Sequence, residues 1–142
     1  MSCATAHRIH AARHRWLAAA GALLLVAGTV YAARPVVEIV ANGHPPVQSA
    51  LKPLRDWLTR QGTTIKVVEI DMETPAGERR LQSVGLRGHL PILVLFDGQY
   101  RFARADGSSV DFTGFPAGPG TPAAAKGTWS AADVEVVLNA RP

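Results

Sequence analysis

Sulfur is almost missing from this chain. One cysteine occurs in 142 residues, Cys3 at the extreme N-terminus, and residues 34–142 contain none. Those residues can form no disulfide, present no thiolate nucleophile and hold no cysteine-ligated metal. Cys3 is not a lipidation cysteine either, because the apolar run follows it instead of preceding it. Acidic residues are absent from the first 33 positions. A basic run is absent everywhere: the formal charge of +4 comes from 15 Lys and Arg against 11 Asp and Glu. Arg8, Arg13 and Arg15 account for most of that excess, so 12 bases face all 11 acids beyond them. Isolated cations on a near-neutral domain give no stripe for phosphates, which argues against nucleic acid as a partner. No glycine-rich phosphate loop, internal repeat, opposed carboxylate pair or hydroxyl–imidazole–acid constellation is found. Gly118 and Gly120 sit among prolines, Glu69, Asp71 and Glu73 follow one another at a strand end, and Ser108-Ser109 has no base nearby in sequence.

What the sequence does contain first is an apolar segment. Residues 16–33 carry no charged side chain, and basic residues alone precede them. This is the pattern of a secretion signal with its positive flank retained in the cytoplasm. Val30, Tyr31 and Ala32 offer small or medium residues at signal-peptidase spacing, with cleavage after Ala32. An uncleaved anchor needs about 20 apolar residues and tolerates slightly fewer, so both readings stay open, with cleavage favoured. His7, His10 and His14 add partial positive charge to the flank. The expected organisation is residues 1–33 as signal peptide or signal anchor and residues 34–142 as one domain outside the cytoplasm, periplasmic, secreted or anchored.

Beyond the signal, elements alternate. Residues 36–40 are a β-branched run, broken by Asn42-Gly43. From 46 to 61 the apolar positions Val47, Ala50, Leu51, Leu54, Trp57 and Leu58 fall on one helical face, with Pro46 in the first turn, Gly62 after the end and Pro53 predicting a kink inside. Residues 64–70 read as a second strand, 73–77 as a polar turn and 76–83 as a short helix. Residues 92–96 are continuously apolar, as in a strand covered on both faces. Asp97-Gly98 signals a hairpin, with return strand 100–104 and an edge strand in 110–115. Three prolines make residues 115–127 a loop. Ser130 and Asp133 stand in capping-box spacing before a last helix. The fold class is α/β, a mixed sheet flanked by helices.

This order of elements resembles the thioredoxin-like fold. Residues 84–91 (Val84, Gly85, Leu86, Arg87, Gly88, His89, Leu90, Pro91), followed by strand 92–96 and Asp97-Gly98, look like that family's loop, strand and hairpin. The resemblance implies that Pro91 is a cis-proline opening the third strand. Pro53 matches the proline five residues after the family's second active-site cysteine. Counting back, the two cysteines fall on Pro45 and Gln48, so the redox motif reads Pro45, Pro46, Val47, Gln48. There is one additional residue before Pro91, and the loop 115–129 is longer than usual. Residues 110–116 and Trp129 resemble a variant branch of similar exported proteins. The resemblance carries the scaffold and denies the chemistry, because thiol–disulfide exchange needs a thiolate.

The implied function is non-catalytic binding of an extended segment of an envelope protein beside the proline loop, by strand-like pairing with Leu90 and Pro91. The expected surface comprises His44, Pro45, Pro46, Gln48, His89, Leu90 and Pro91. No cofactor is expected. The membrane is a partner only through an uncleaved N-terminal segment. The alternative is an accessory of a thiol-redox or metal-handling system. Its metal contact would be weak, since His44 and His89 give only two imidazoles where a firm zinc or copper site has three or four ligands. A third possibility is an enzyme that uses residues 116–128 as a lid.

Overall fold

Six mostly apolar residues form β1, Val36–Ala41, and its two faces divide the molecule. The computed structural model of the chain describes residues 33–118, 121 and 126–141. The segment read as a signal or anchor lies outside them, and no helix among the described residues is long and apolar enough to cross a membrane.

The remaining elements follow in order: α1 (Pro45–Arg60), β2 (Lys66–Asp71), α2 (Pro75–Ser83), β3 (Ile92–Phe96), β4 (Arg101–Ala103), β5 (Ser109–Asp111) and α3 (Ala131–Asn139), with a single 3-10 turn, Gly62–Thr64, between α1 and β2. β1 lies in the centre of a three-stranded sheet of order β2-β1-β3, parallel to β2 and antiparallel to β3. The parallel pair is joined by helix α1, as a parallel crossover requires.

Period-two alternation along β1 sends Val37, Ile39 and Ala41 to one face and Glu38 and Val40 to the other. On the first face Val47, Leu51, Leu54 and Leu58 of α1 and Val134, Val137 and Leu138 of α3 pack with Ile92, Val94 and Phe96. On the second face Leu81 of α2 packs with Val40, Leu93 and Leu95. β3 is buried along its whole length because helices cover both sides. Glu38, facing α2, receives two hydrogen bonds from Arg80, at 2.8 and 2.6 Å, which compensates a carboxylate in an otherwise apolar layer. The result is a three-layer mixed α/β domain.

The hairpin differs in detail from the expected return strand. Asp97 (φ 47°) and Gly98 (φ 84°) both adopt the left-handed conformation of a two-residue hairpin turn. After Gln99 the chain leaves β3 and pairs with β5 instead. The segment following β5 fills the vacated edge: Val94 N–H donates to the Phe112 carbonyl at 2.9 Å, and Gly114 N–H to Ile92 at 2.8 Å. A cluster of Phe96, Phe102 and Phe112 in edge-to-face contact, with centroids 4.7–5.9 Å apart, fixes this exchange. The expected edge strand 110–115 is therefore split between β5 and this extension.

Helix α1 runs continuously from Pro45 to Arg60 with Pro53 on its exposed side. One other expectation needs correction. No peptide bond among the described residues is cis, so Pro91 is joined to Leu90 by a trans bond. Gly88, at φ 93°, turns the chain before Pro91, and the Leu90–Pro91 bond keeps the ordinary trans form.

Candidate functional site

Three chain segments meet at the C-terminal end of β1: the turn from β1 into α1, the turn from β2 into α2, and residues 84–91 ahead of β3. Their meeting point is fixed by backbone bonds. Asn42 N–H donates to the Pro91 carbonyl at 3.3 Å, and Met72 N–H donates to the Ala41 carbonyl at 3.0 Å. The expected proximity of the α1 start and the Pro91 loop is thus present, although Pro91 is not cis.

The first turn of α1 is unusual in what it withholds. Pro45 and Pro46 have no N–H, and the N–H groups of Val47 and Gln48 both donate to the His44 carbonyl, at 3.0 and 3.1 Å. A helix N-terminus ordinarily attracts anions through free N–H donors. Here those donors are deleted or used, so this end of α1 does not stabilise a thiolate or phosphate through its backbone. Gln48 is used as well. Its Nε2 donates to the Asn42 carbonyl at 2.7 Å, and its Oε1 accepts from Arg55 at 2.8 Å. Arg55 in turn grips Glu69 of β2 with two bonds of 2.8 and 2.7 Å. Gln48 therefore braces the turn and has little left for a ligand.

His44 and His89 do not form a metal centre with a third ligand: among the described residues no group of three or more His, Cys, Asp or Glu could hold a metal ion. The His44 ring faces Glu73, with Nε2 3.0 Å from Oε1, and both side chains are largely exposed. His89 lies instead in the wall of a cleft.

That cleft has a volume of about 680 Å³. Its apolar floor is Leu81 of α2 with Met72, Leu86 and Leu90, which pack against the same small core. Glu73 and Glu78 stand on one wall, and Arg87, Gly88 and His89 on the other. The backbone of residues 87–90 is the distinctive feature. None of its N–H or C=O groups is hydrogen-bonded to another described residue, while Leu86 N–H before it and the Pro91 carbonyl after it are both paired. Arg87, Gly88 and His89 are exposed, so the unpaired groups of this segment are open to solvent.

Of the expected surface, His89 and Leu90 line the cleft, with Pro91 adjoining Asn42; His44 borders it through Glu73. Pro45 and Pro46 are exposed on the helix start and are not part of its lining. Sequence reasoning missed Asn42, Met72, Glu73 and Leu86. Glu73 reads as part of a solvated turn, and nothing in a single sequence brings that turn against residues 84–90. Of the loop 116–128, residues 119, 120 and 122–125 lie outside the described residues. Its described ends are fastened: Ala117 N–H donates to the Trp129 carbonyl at 2.6 Å, and Gly127 N–H to Phe115 at 2.6 Å.

The geometry defines the class: a small mixed α/β domain whose three-stranded sheet is flanked by helices, compatible with a thioredoxin-like fold. Compared with family models, curated proteins and solved structures, the chain matches none.

Proposed function

We propose that residues 34–142 are a thioredoxin-like module without thiol chemistry, acting outside the cytoplasmic membrane and holding an extended segment of an envelope protein along residues 87–90. The observation that carries this reading is the run of unpaired backbone groups beside an apolar-floored cleft. An extended peptide satisfies such groups by adding a strand-like rung, while alternate side chains enter the cleft. Neither step needs a nucleophile or a cofactor. The apolar N-terminal segment with its purely basic flank supports the location. The metal-handling alternative is less well supported, because the His44 imidazole is already matched with Glu73.

The test is site-specific photocrosslinking in the full chain. A photoreactive residue at position 89 should capture a discrete envelope protein. The same residue at Val136, which is 66% exposed on the far helix α3, should not. In the captured complex, amide hydrogens of residues 87–90 should exchange more slowly than in the free protein. Identical partners from both positions, or unchanged exchange at 87–90, would overturn the proposal. Insulin reduction should stay at background, and turnover above it would refute the absence of thiol chemistry.

A further inference from the structure

The chain contains two asparagines, Asn42 and Asn139, and the fold treats them in opposite ways. We propose that Asn42 is a site of spontaneous covalent modification: cyclisation onto Gly43 to a succinimide, followed by hydrolysis to aspartate and isoaspartate. The reaction requires the backbone nitrogen of the following residue to reach the side-chain carbonyl carbon. A free N–H, an unhindered neighbour and a leaving amide open to water all favour it.

Asn42 has each of the features that favour the reaction. Gly43 is exposed, and its N–H has no acceptor among the described residues. A Cβ built on Gly43 meets nothing within 4 Å, so no neighbouring group crowds the turn, and glycine itself places no side chain beside the attacking nitrogen. Asn42 Nδ2, the group that leaves, has no hydrogen-bond partner among the described residues. Oδ1 accepts the His44 N–H at 3.4 Å, at the long limit of a hydrogen bond. Asn139 is the built-in contrast. It is the last residue of α3, followed by Ala140, whose N–H donates to the Val136 carbonyl at 3.0 Å. There the nucleophile is held in a helical bond and carries a methyl group beside it.

The balance is simple. A base in solution removes the Gly43 amide proton, the nitrogen bonds to Asn42 Cγ, and the Cγ–Nδ2 bond breaks with release of ammonia, which takes up a proton. Water then opens the ring at one of its two carbonyls. Opening at the α-carbonyl leaves isoaspartate, with one more methylene in the main chain and a free carboxylate where Gln48 Nε2 now binds the Asn42 carbonyl. Opening at the other gives aspartate, a new carboxylate two residues before the α1 N-cap–Pro45 junction. Either product puts a negative charge beside the Pro91 contact.

The experiment is incubation of the full chain at mildly alkaline pH, with timed proteolysis and mass spectrometry of the peptides that carry the two asparagines. Fragmentation separates isoaspartate from aspartate. Asn42 should convert to both products, faster as pH rises, while Asn139 stays an amide. Gly43→Ala, which fits the open space, should slow the conversion on the order of tenfold, equivalent to about 1.4 kcal/mol of barrier. A circular dichroism spectrum unchanged from that of the parent confirms that the variant is folded. Equal persistence of Asn42 and Asn139, or a folded Gly43→Ala variant that reacts as fast as the parent, overturns the proposal.

Discussion

Asp133 shows how one carboxylate serves two neighbours. Its Oδ2 accepts from the Ser130 hydroxyl and backbone N–H, both at 2.8 Å, closing the capping box of α3, and its Oδ1 accepts from Arg104 at 2.9 Å. Burial pushes its pKa up, but the hydrogen bonds from Arg104 and Ser130 pull it further down, leaving it below the ordinary 3.8. Asp111 is held low chiefly by its hydrogen bond from Arg101. In the unfolded chain these partners are gone, so the unfolded state binds more protons in the acid range. The stability they contribute is present above the unfolded value and is lost as pH falls through the lower folded value. Urea midpoints measured from about pH 5 down to about pH 2 should therefore decline, and Asp133→Asn should decline less steeply than the parent over the same range. An unchanged slope would show that Asp133 is not a major contributor. Ser130 and Asp133 were legible in sequence because the capping box is a local spacing rule. Arg104 was not, because it lies 29 residues away and is brought in by the β4–β5 ribbon.

Among the elements, α2 begins one residue earlier than the helix read over 76–83. Gly77, read both in that helix and at the end of the polar turn 73–77, lies inside the helix, buried. Thr74 caps that helix by accepting from Gly77 N–H at 3.2 Å, and Pro75 occupies its first turn. A Cβ at Gly77 would collide with the Asp71 carbonyl oxygen and the Met72 Cα, both backbone atoms that cannot swing aside. Gly77→Ala should therefore destabilise by about 2 kcal/mol, in spite of alanine's better helix propensity, because overpacking outweighs the propensity gain. A denaturation curve at or above the parent's stability would mean that α2 can slide away from the turn at little cost. The same close approach keeps Met72 and Glu73 at the cleft, so a loosened α2 should also widen it. α1, α2, β1 and β3 were legible to within a residue, since their apolar periods are written in contiguous sequence, whereas β2 begins two residues later than expected because Gly62–Thr64 forms a 3-10 turn. The division of the 110–115 strand was not legible, because it depends on which edge β4 abandons.

At the scale of the whole molecule, Trp129 closes the core. It is 1% exposed, stacks at a tilt on Phe112 with centroids 5.7 Å apart, and donates its Nε1–H to the Gly114 carbonyl at 3.1 Å. One side chain thus joins the approach to α3, the aromatic cluster and the strand extension along β3. Trp129→Ala should cost about 3–5 kcal/mol, a large share of a typical total of about 5–15 kcal/mol. Trp129→Phe should cost less, since it keeps most of the apolar area and forfeits mainly the indole hydrogen bond. Urea denaturation of the three proteins checks the order, and an alanine variant as stable as the phenylalanine variant would remove Trp129 from the core's supports.

The sequence alone determined the absence of thiol chemistry in residues 34–142, the basic-flanked apolar N-terminus and the identity and order of the main elements. These follow from composition and from periodicities carried by neighbouring residues. Only the tertiary structure decided that Pro91 is trans, that Gln48 is spent on bracing a turn, and that Glu73, Met72 and Leu86 share a cleft with His89 and Leu90. Those outcomes depend on residues far apart in the chain, brought together by sheet order and by the close seating of α2. No local pattern encodes such a distance.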